Sequence, residues 1–232
     1  MNLEICPLVD VPEVSSADDI ASVLITALEP LNPRDGDVLV VTHKIVSKAE
    51  GAVRTITGDE EEFKRRLVEG ESVSIIRRRG ELIIAETKHG FVCANAGVDR
   101  SNAAPGTMIL LPKDPDRSAH RIRLRLQQAF GADLPVIISD TFGRPWRRGL
   151  TDIAIGVSGL IAVLDLRGST DWSGRELEVT EIAVADELAA AADLVMGKAD
   201  GIPAALVRGY QGPRGDGRGS DLVRPVDEDL FR

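Results

Sequence analysis

The sequence predicts an α+β fold: mixed sheets with flanking helices. Three observations carry that expectation. Short β-rich apolar runs recur along all 232 residues without alternating regularly with helices, which argues against a simple parallel βαβ layout. Hydrophobic residues make up 43% and charged residues 28%, the balance of a globular chain with room for a sizeable core. Aromatic residues are only 3%, so that core must be built from Val, Ile, Leu and Ala.

Ser16, followed three residues later by Asp19, opens a helix as a variant of the capping box. Ile20, Val23, Leu24, Ala27 and Leu28 recur behind it at helical spacing, and Pro30 and Pro33 end it. The turn residues Asp35 and Gly36 precede a strand over Val38–Val41. Further strands are predicted over Ser72–Ile76, Leu82–Ala85, Phe91–Ala94 and Met108–Leu111. Ser118–Phe130 is helical, with Ile122, Leu126 and Phe130 on one face and Gly131 as its stop. Pro135–Ser139, Asp152–Val157 and Leu160–Leu164 read as strands. A long alanine-rich helix, from about Glu181 to Met196, ends at Gly197, the usual C′ glycine. Ile202-Pro203 leads into a short strand, and the glycine-rich stretch Gly209–Gly219 reads as a mobile loop.

Several function classes fall away at this level. A net charge of -9 disfavours sequence-independent nucleic-acid binding, and the few aromatics leave little to stack bases on. No apolar run reaches the roughly 18 residues needed to span a bilayer. The N-terminus lacks the basic and apolar regions of a signal peptide. Cys6 and Cys93 are too few for a disulfide framework or a zinc site. The expected location is the cytoplasm, with neither nucleic acid nor membrane as partner.

The strongest chemical signal is PVIISDTFGRPWRRG. An apolar strand, Val136 to Ile138, ends in Ser139-Asp140-Thr141, so a carboxylate and a hydroxyl emerge together, and hard cations want oxygen ligands on a rigid support. Arg144, Arg147 and Arg148 follow, with Trp146 among them, and guanidinium forks bind phosphate or carboxylate. The competing reading is an Asx-turn at a strand end with arginines on a solvated loop. In VVTHKIVSKAEG, His43, Lys44 and Lys48 follow a strand and could reach phosphates as point charges, though lysines by themselves are more often solvated. In CANAGVDRSNAAPG, Asp99 and Asn102 stand in a polar loop; Asp99 paired with Asp140 would complete a two-carboxylate metal site. MGKADGIPAALVRG places a tight polar turn after a helix and resembles a phosphate-binding turn only loosely. The chain has no P-loop, no G-x-G-x-x-G between strand and helix, and no H-E-x-x-H or G-x-S-x-G pattern. His43, His89 and His120 are scattered.

Taken together and in order, these segments resemble coenzyme F420-0:L-glutamate ligases. The resemblance runs over nearly the whole chain: VPEV, THKIVSKAEG, NAGVDRSN, ISDTFGRPWRRG, VADELAAAADLVMGKADGIP and LVRG. It is especially close to the N-terminal ligase domain of two-domain actinobacterial enzymes, whose second, flavin-reductase-like domain would follow Phe231-Arg232; residues 1–232 are expected to be the ligase domain alone. The fold implied is the family's own α+β fold, as an intertwined homodimer with the active site near the subunit boundary.

The resemblance also implies partners and roles. The family adds L-glutamate to the phospholactyl carboxylate of coenzyme F420-0, using GTP and divalent metal (Mn2+ or Mg2+, with K+ a further candidate), and can continue with γ-linked residues. By motif, Val11, Pro12, Glu13 and Val14 would line the guanine nucleotide site, and His43, Lys44, Lys48 and Asn102 would contact GTP. Asp99 and Asp140 would hold one metal and Thr141 a second. The turn Met196, Gly197, Lys198, Ala199, Asp200, Gly201, Ile202, Pro203 would close over GTP. Family members often carry a glutamine metal ligand where this chain has Lys198, and a protonated amine ligates no cation. Arg144, Arg147 or Arg148 is expected to hold an anionic part of the substrate. No Ser or Cys nucleophile is required. Two rivals use the same residues: a metal-dependent phosphohydrolase, and a non-catalytic GTP-binding domain.

Overall fold

The computed structural model describes residues 2–230; the terminal Phe231-Arg232, on which the expectation of a following domain bears, lies outside them. In chain order the strands are Glu4–Pro7 (β1), Val38–Thr42 (β2), Val53–Thr55 (β3), Ser72–Arg79 (β4), Leu82–Thr87 (β5), Val92–Ala94 (β6), Thr107–Ile109 (β7), Val136–Arg144 (β8), Arg147–Ser158 (β9), Leu164–Asp165 (β10), Glu181–Ile182 (β11) and Ala204–Arg208 (β12). The helices are Ile20–Leu28 (α1), His43–Ala49 (α2), Glu60–Glu71 (α3), Pro115–Phe130 (α4) and Val184–Met196 (α5).

The expected mixed sheet is present. Five strands run in the order β1-β12-β2-β8-β9. β2 and β8 pair in parallel, and every other neighbour is antiparallel. Leu39 and Val41 of β2 face a core made with Leu24 and Leu28 of α1, Ile45 and Val46 of α2, and Ile122 and Leu126 of α4. Val38 and Val40 face the opposite side, against Leu188, Ala192 and Met196 of α5. Because both faces are covered, these strands read as continuous apolar runs rather than alternating ones. A smaller cluster joins Val68 of α3 to Ile83 and Ala85 of β5 and Met108 of β7. Among the described residues no helix is long and apolar enough to cross a membrane.

Several local expectations are corrected. Asp19, not Ser16, caps α1, accepting from the Ser22 N–H at 3.4 Å, because Ala17 turns through a φ of 75° and detaches Ser16 from the helix. α4 starts at Pro115 rather than Ser118; Asp114 accepts from the Arg117 N–H at 2.9 Å, and proline suits the first helical position. α2 and α3 were not expected. In α2 five of seven residues are buried, polar ones included, so no apolar stripe exists to read. In α3 only Val68 is buried. Of the strand expected over Leu160–Leu164 only Leu164 is extended, as the start of β10, and the alanine-rich helix begins at Val184 because Glu181–Ile182 pairs with Leu164–Asp165 first. The glycine-rich stretch is irregular but not loose: Gly217 donates to the Leu160 carbonyl at 3.0 Å and Gly219 to Asp116 Oδ1 at 2.8 Å.

The largest correction concerns Ser139-Asp140-Thr141. The strand does not end there; β8 continues to Arg144 and returns as β9 from Arg147, so the arginines sit on a β-hairpin rather than a loop. The ladder carries a bulge: Ile138 pairs with Gly156 but Ser139 with Ala154, leaving Ile155 as an extra residue in β9. β9 is an edge strand, and two carboxylates take N–H groups around the bulge. Ala154 donates to Asp186 Oδ1 of α5 at 2.9 Å, and Val157 to Asp116 Oδ1 of α4 at 2.8 Å. Burial raises the pKa of both acids. Gly156 is required at the bulge because a Cβ there would lie 2.5 Å from the Pro115 carbonyl carbon at the start of α4. Gly156→Ala is therefore expected to lower stability by about 1–3 kcal/mol, the scale of overpacking, as the urea midpoint at constant m-value will report.

Candidate active site

A cleft open to solvent lies where β1 and β2 end, β12 begins and β8 passes through Thr141. Ligands of sheets with parallel strands collect at this end, outside the carboxyl ends of the strands. Four separated segments form its walls: the loop Val11–Val14 after β1, Lys44 and Lys48 of α2, Asn102, and the turn from Met196 to Pro203. Thr141 and Asp152 form its floor. The Thr42 N–H donates to the Pro203 carbonyl at 2.9 Å, and the Leu8 N–H to the Ala204 carbonyl at 2.9 Å, tying the first loop and the last turn to one sheet edge.

Each lysine in the cleft meets a carboxylate. Lys48 is 8% exposed, and its Nζ reaches Glu13 Oε1 at 2.5 Å. Lys44 Nζ lies 2.7 Å from Asp99 Oδ2 and donates to Ser101 Oγ at 2.5 Å. Burial works to raise the Asp99 pKa, but the bonds from Lys44 and Ser101 outweigh it and hold the carboxyl below its usual range. Lys198 Nζ donates to Thr141 Oγ1, Asp152 Oδ1 and Asp193 Oδ1. Desolvation works to lower its pKa, and the two aspartates more than reverse that, so the ammonium stays charged.

Behind the cleft, His43 is fully buried at the start of α2, its Nδ1 3.3 Å from Ser47 Oγ. Its Nε2 lies 3.2 Å from Asp140 Oδ1 without hydrogen-bond alignment, and has no other partner among the described residues. Asp140 Oδ1 also accepts the Thr141 N–H at 2.7 Å. Cys93 packs beneath, its thiol pushed up to about 12 by burial and by the Asp140 charge, which removes it as a nucleophile.

The expected residues are therefore mostly brought together, with exceptions. Asp99 and Asp140 are not on the cleft wall themselves; they stand behind Lys44 and Thr141, which are. Arg144, Arg147 and Arg148 are exposed and outside the cleft lining, with Arg144 Nη2 donating to the Arg148 carbonyl at 2.8 Å. Ala199 and Asp200 belong to the turn but not to the wall. Asp152 and Asp193 were missed. Asp152 had one signal, a charged residue inside an apolar strand; Asp193 had none, lying among helix residues.

Whether the chain suits a divalent cation turns on the acids. Among the described residues no three His, Cys, Asp or Glu side chains converge as ligands. Asp99 and Asp140 thus offer at most two carboxylates, the donor set of a cation that takes its remaining ligands from nucleotide phosphates and water. Only Oδ1 of Asp140 is engaged among the described residues, which leaves Oδ2 for a cation. Both oxygens of Asp99 are held by Ser101 and Lys44, so a cation there would have to displace the Lys44 ammonium. Thr141 does not fit in the same way, since its hydroxyl is already held by Asp152 and Lys198.

Comparison with known proteins assigns the frame. Residues 8–209 match the F420-0:gamma-glutamyl ligase family. The chain belongs to that family. A coenzyme F420:L-glutamate ligase of Methanothermobacter thermautotrophicus is 45% identical over 100% of both chains. Proteins of the same name from Methanocaldococcus jannaschii and Methanopyrus kandleri are 46% identical over 85% of each chain and 44% identical over 95% of this chain and 94% of theirs. In this family member the turn after α5 depends on Gly197, whose φ of 61° and ψ of -169° only glycine adopts readily, and where a Cβ would collide with the Asp200 carboxylate. It is thus not the left-handed C′ glycine of a common helix end. Gly197→Ala is expected to cost about 1–3 kcal/mol of stability, read by thermal melting.

Proposed function

We propose that this chain is a GTP-dependent ligase that joins L-glutamate to the phospholactyl carboxylate of coenzyme F420-0, and that it can extend a γ-linked tail. What supports the reading is the convergence of VPEV, Lys44 and Lys48 of HKIVSK, Asn102 and the Met196–Pro203 turn on one cleft, in a chain 45% identical, over 100% of both chains, to a relative named for that activity. A carboxylate is a poor electrophile, so amide formation needs activation. In the proposed sequence a carboxylate oxygen of F420-0 attacks the γ-phosphorus of GTP and GDP leaves, giving an acyl phosphate. The glutamate amine, losing a proton, then attacks the acyl carbon and inorganic phosphate leaves.

Phosphoryl transfer of this kind depends on positioning and charge neutralisation. Lys44 and Lys48 stand on α2 facing the cleft, and each can exchange its carboxylate partner for a phosphate oxygen. Asn102 holds its loop in a left-handed turn with φ 57°, which asparagine tolerates. A divalent cation held by Asp99 and Asp140 would neutralise charge on the transferring phosphoryl group. The exposed hairpin arginines would meet an anionic part of F420-0 at the cleft mouth. A homodimer belongs to the same reading, supported by apolar Val73 and Ile76 exposed on β4 and Leu150 on β9.

Incubation with F420-0, glutamate, GTP and Mn2+ should give products heavier by glutamyl units in mass spectrometry; GTP hydrolysis without such products would overturn the ligase. Asp140→Asn keeps the side-chain shape and removes the charge a hard cation needs, and is expected to slow ligation by at least roughly 100-fold while the melting temperature without metal stays level or rises. Lys48→Ala is expected to weaken GTP binding by about 1–3 kcal/mol, the scale of a lost charged hydrogen bond. Unchanged affinity in calorimetry would leave Lys48 with Glu13 as its only task.

A further inference from the structure

Three elements place oxygens around the Lys198 ammonium: Thr141 Oγ1 of β8 at 2.8 Å, Asp152 Oδ1 of β9 at 2.7 Å and Asp193 Oδ1 of α5 at 2.5 Å. Three acceptors match the three protons of an ammonium. The oxygens are themselves held in place beneath the half-exposed lysine. The Thr141 hydroxyl donates to Asp152 Oδ1 at 2.7 Å, and the Ser139 hydroxyl to Asp152 Oδ2 at 2.9 Å. Asp152 is only 3% exposed, and a buried carboxylate demands a cation close by.

We propose that Lys198 is a built-in cation, whose ammonium fills an oxygen cluster that would otherwise take a metal ion, so that this chain binds no divalent cation at Thr141. The inference rests on the ligase reading only for the expectation of a second metal there. A hard cation would need the same oxygens at about 2.0–2.6 Å, where it would overlap the ammonium nitrogen and face its charge. Lys198 is also part of the cleft wall, so the fixed positive charge remains available to an anionic ligand.

Native mass spectrometry with Mn2+ and a non-hydrolysable GTP analogue counts the metal ions retained per chain. Lys198→Gln replaces the ammonium by an amide oxygen, a competent ligand for a hard cation, and is expected to retain one Mn2+ more than the unaltered chain. Lys198→Arg, which keeps the charge, should retain the same number as the unaltered chain. Equal counts for the unaltered chain and Lys198→Gln would overturn the inference. A second measurement needs no variant: acetylation of Lys198, followed by peptide mass spectrometry, should be unchanged by saturating Mn2+. A rise in labelling would mean that the metal displaces the ammonium, and would equally overturn it. A failed ligation assay leaves both readouts intact, so loss of the ligase reading and loss of this inference appear in different measurements.

Discussion

Asp152 reaches Thr141 and Lys198 because β9 carries one residue more than β8 across Ile155. Side chains alternate between the two faces of a strand, and one extra residue exchanges the faces of everything beyond it. Ala154 packs on the α5 side before the bulge, and Val157 packs on that side after it, although their numbers differ by an odd step. With an uninterrupted ladder, Asp152 would point to the α1 and α4 side, into apolar side chains. The bulge in turn needs Gly156 against Pro115, and the acids Asp116 and Asp186 for the N–H groups of the edge strand. The cleft floor is thus coupled to the packing of both helical layers.

The charge pattern follows from the same arrangement. The chain carries a net charge of -9, yet the cleft is lined by three lysines. Each rests on a carboxylate supplied by another element: Glu13 on the loop after β1, Asp99 beyond β6, Asp152 and Asp193 on β9 and α5. These pairs differ in kind. Glu13 is 84% exposed, so its pair with Lys48 is screened and readily opened. Asp152 is buried, and removing its cation would leave an uncompensated charge. The Lys48 ammonium can therefore leave its partner for an anionic ligand, while Lys198 offers its charge at the cleft wall without leaving Asp152.

Much of this was legible in the sequence where side-chain pattern and backbone agree. The α1 stripe of Leu24 and Leu28, the apolar runs of β2 and β8, and the glycine after α5 all carry their own signal. The α2 helix does not, because it is buried on nearly all sides and has no stripe. Nor does α3, whose polar residues leave Val68 as its single fully covered side chain. At the site, the motif segments were recognisable one at a time, but the partners of their lysines were not, since Glu13, Asp99 and Asp152 each lie far from their lysine in the chain.

By itself, then, the sequence determined the α+β class, the apolar strands of the central sheet, the family and the set of segments that carry chemistry, because each depends on residue type and short-range spacing. The tertiary structure alone decided that β8 runs on through Ser139-Asp140-Thr141 instead of stopping, and that a bulge brings Asp152 beneath Thr141. It also decided that the Lys198 ammonium is held by three side-chain oxygens although its side chain is half-exposed. Those features depend on the register of one strand against another and on which faces the helices cover, quantities that no local pattern encodes.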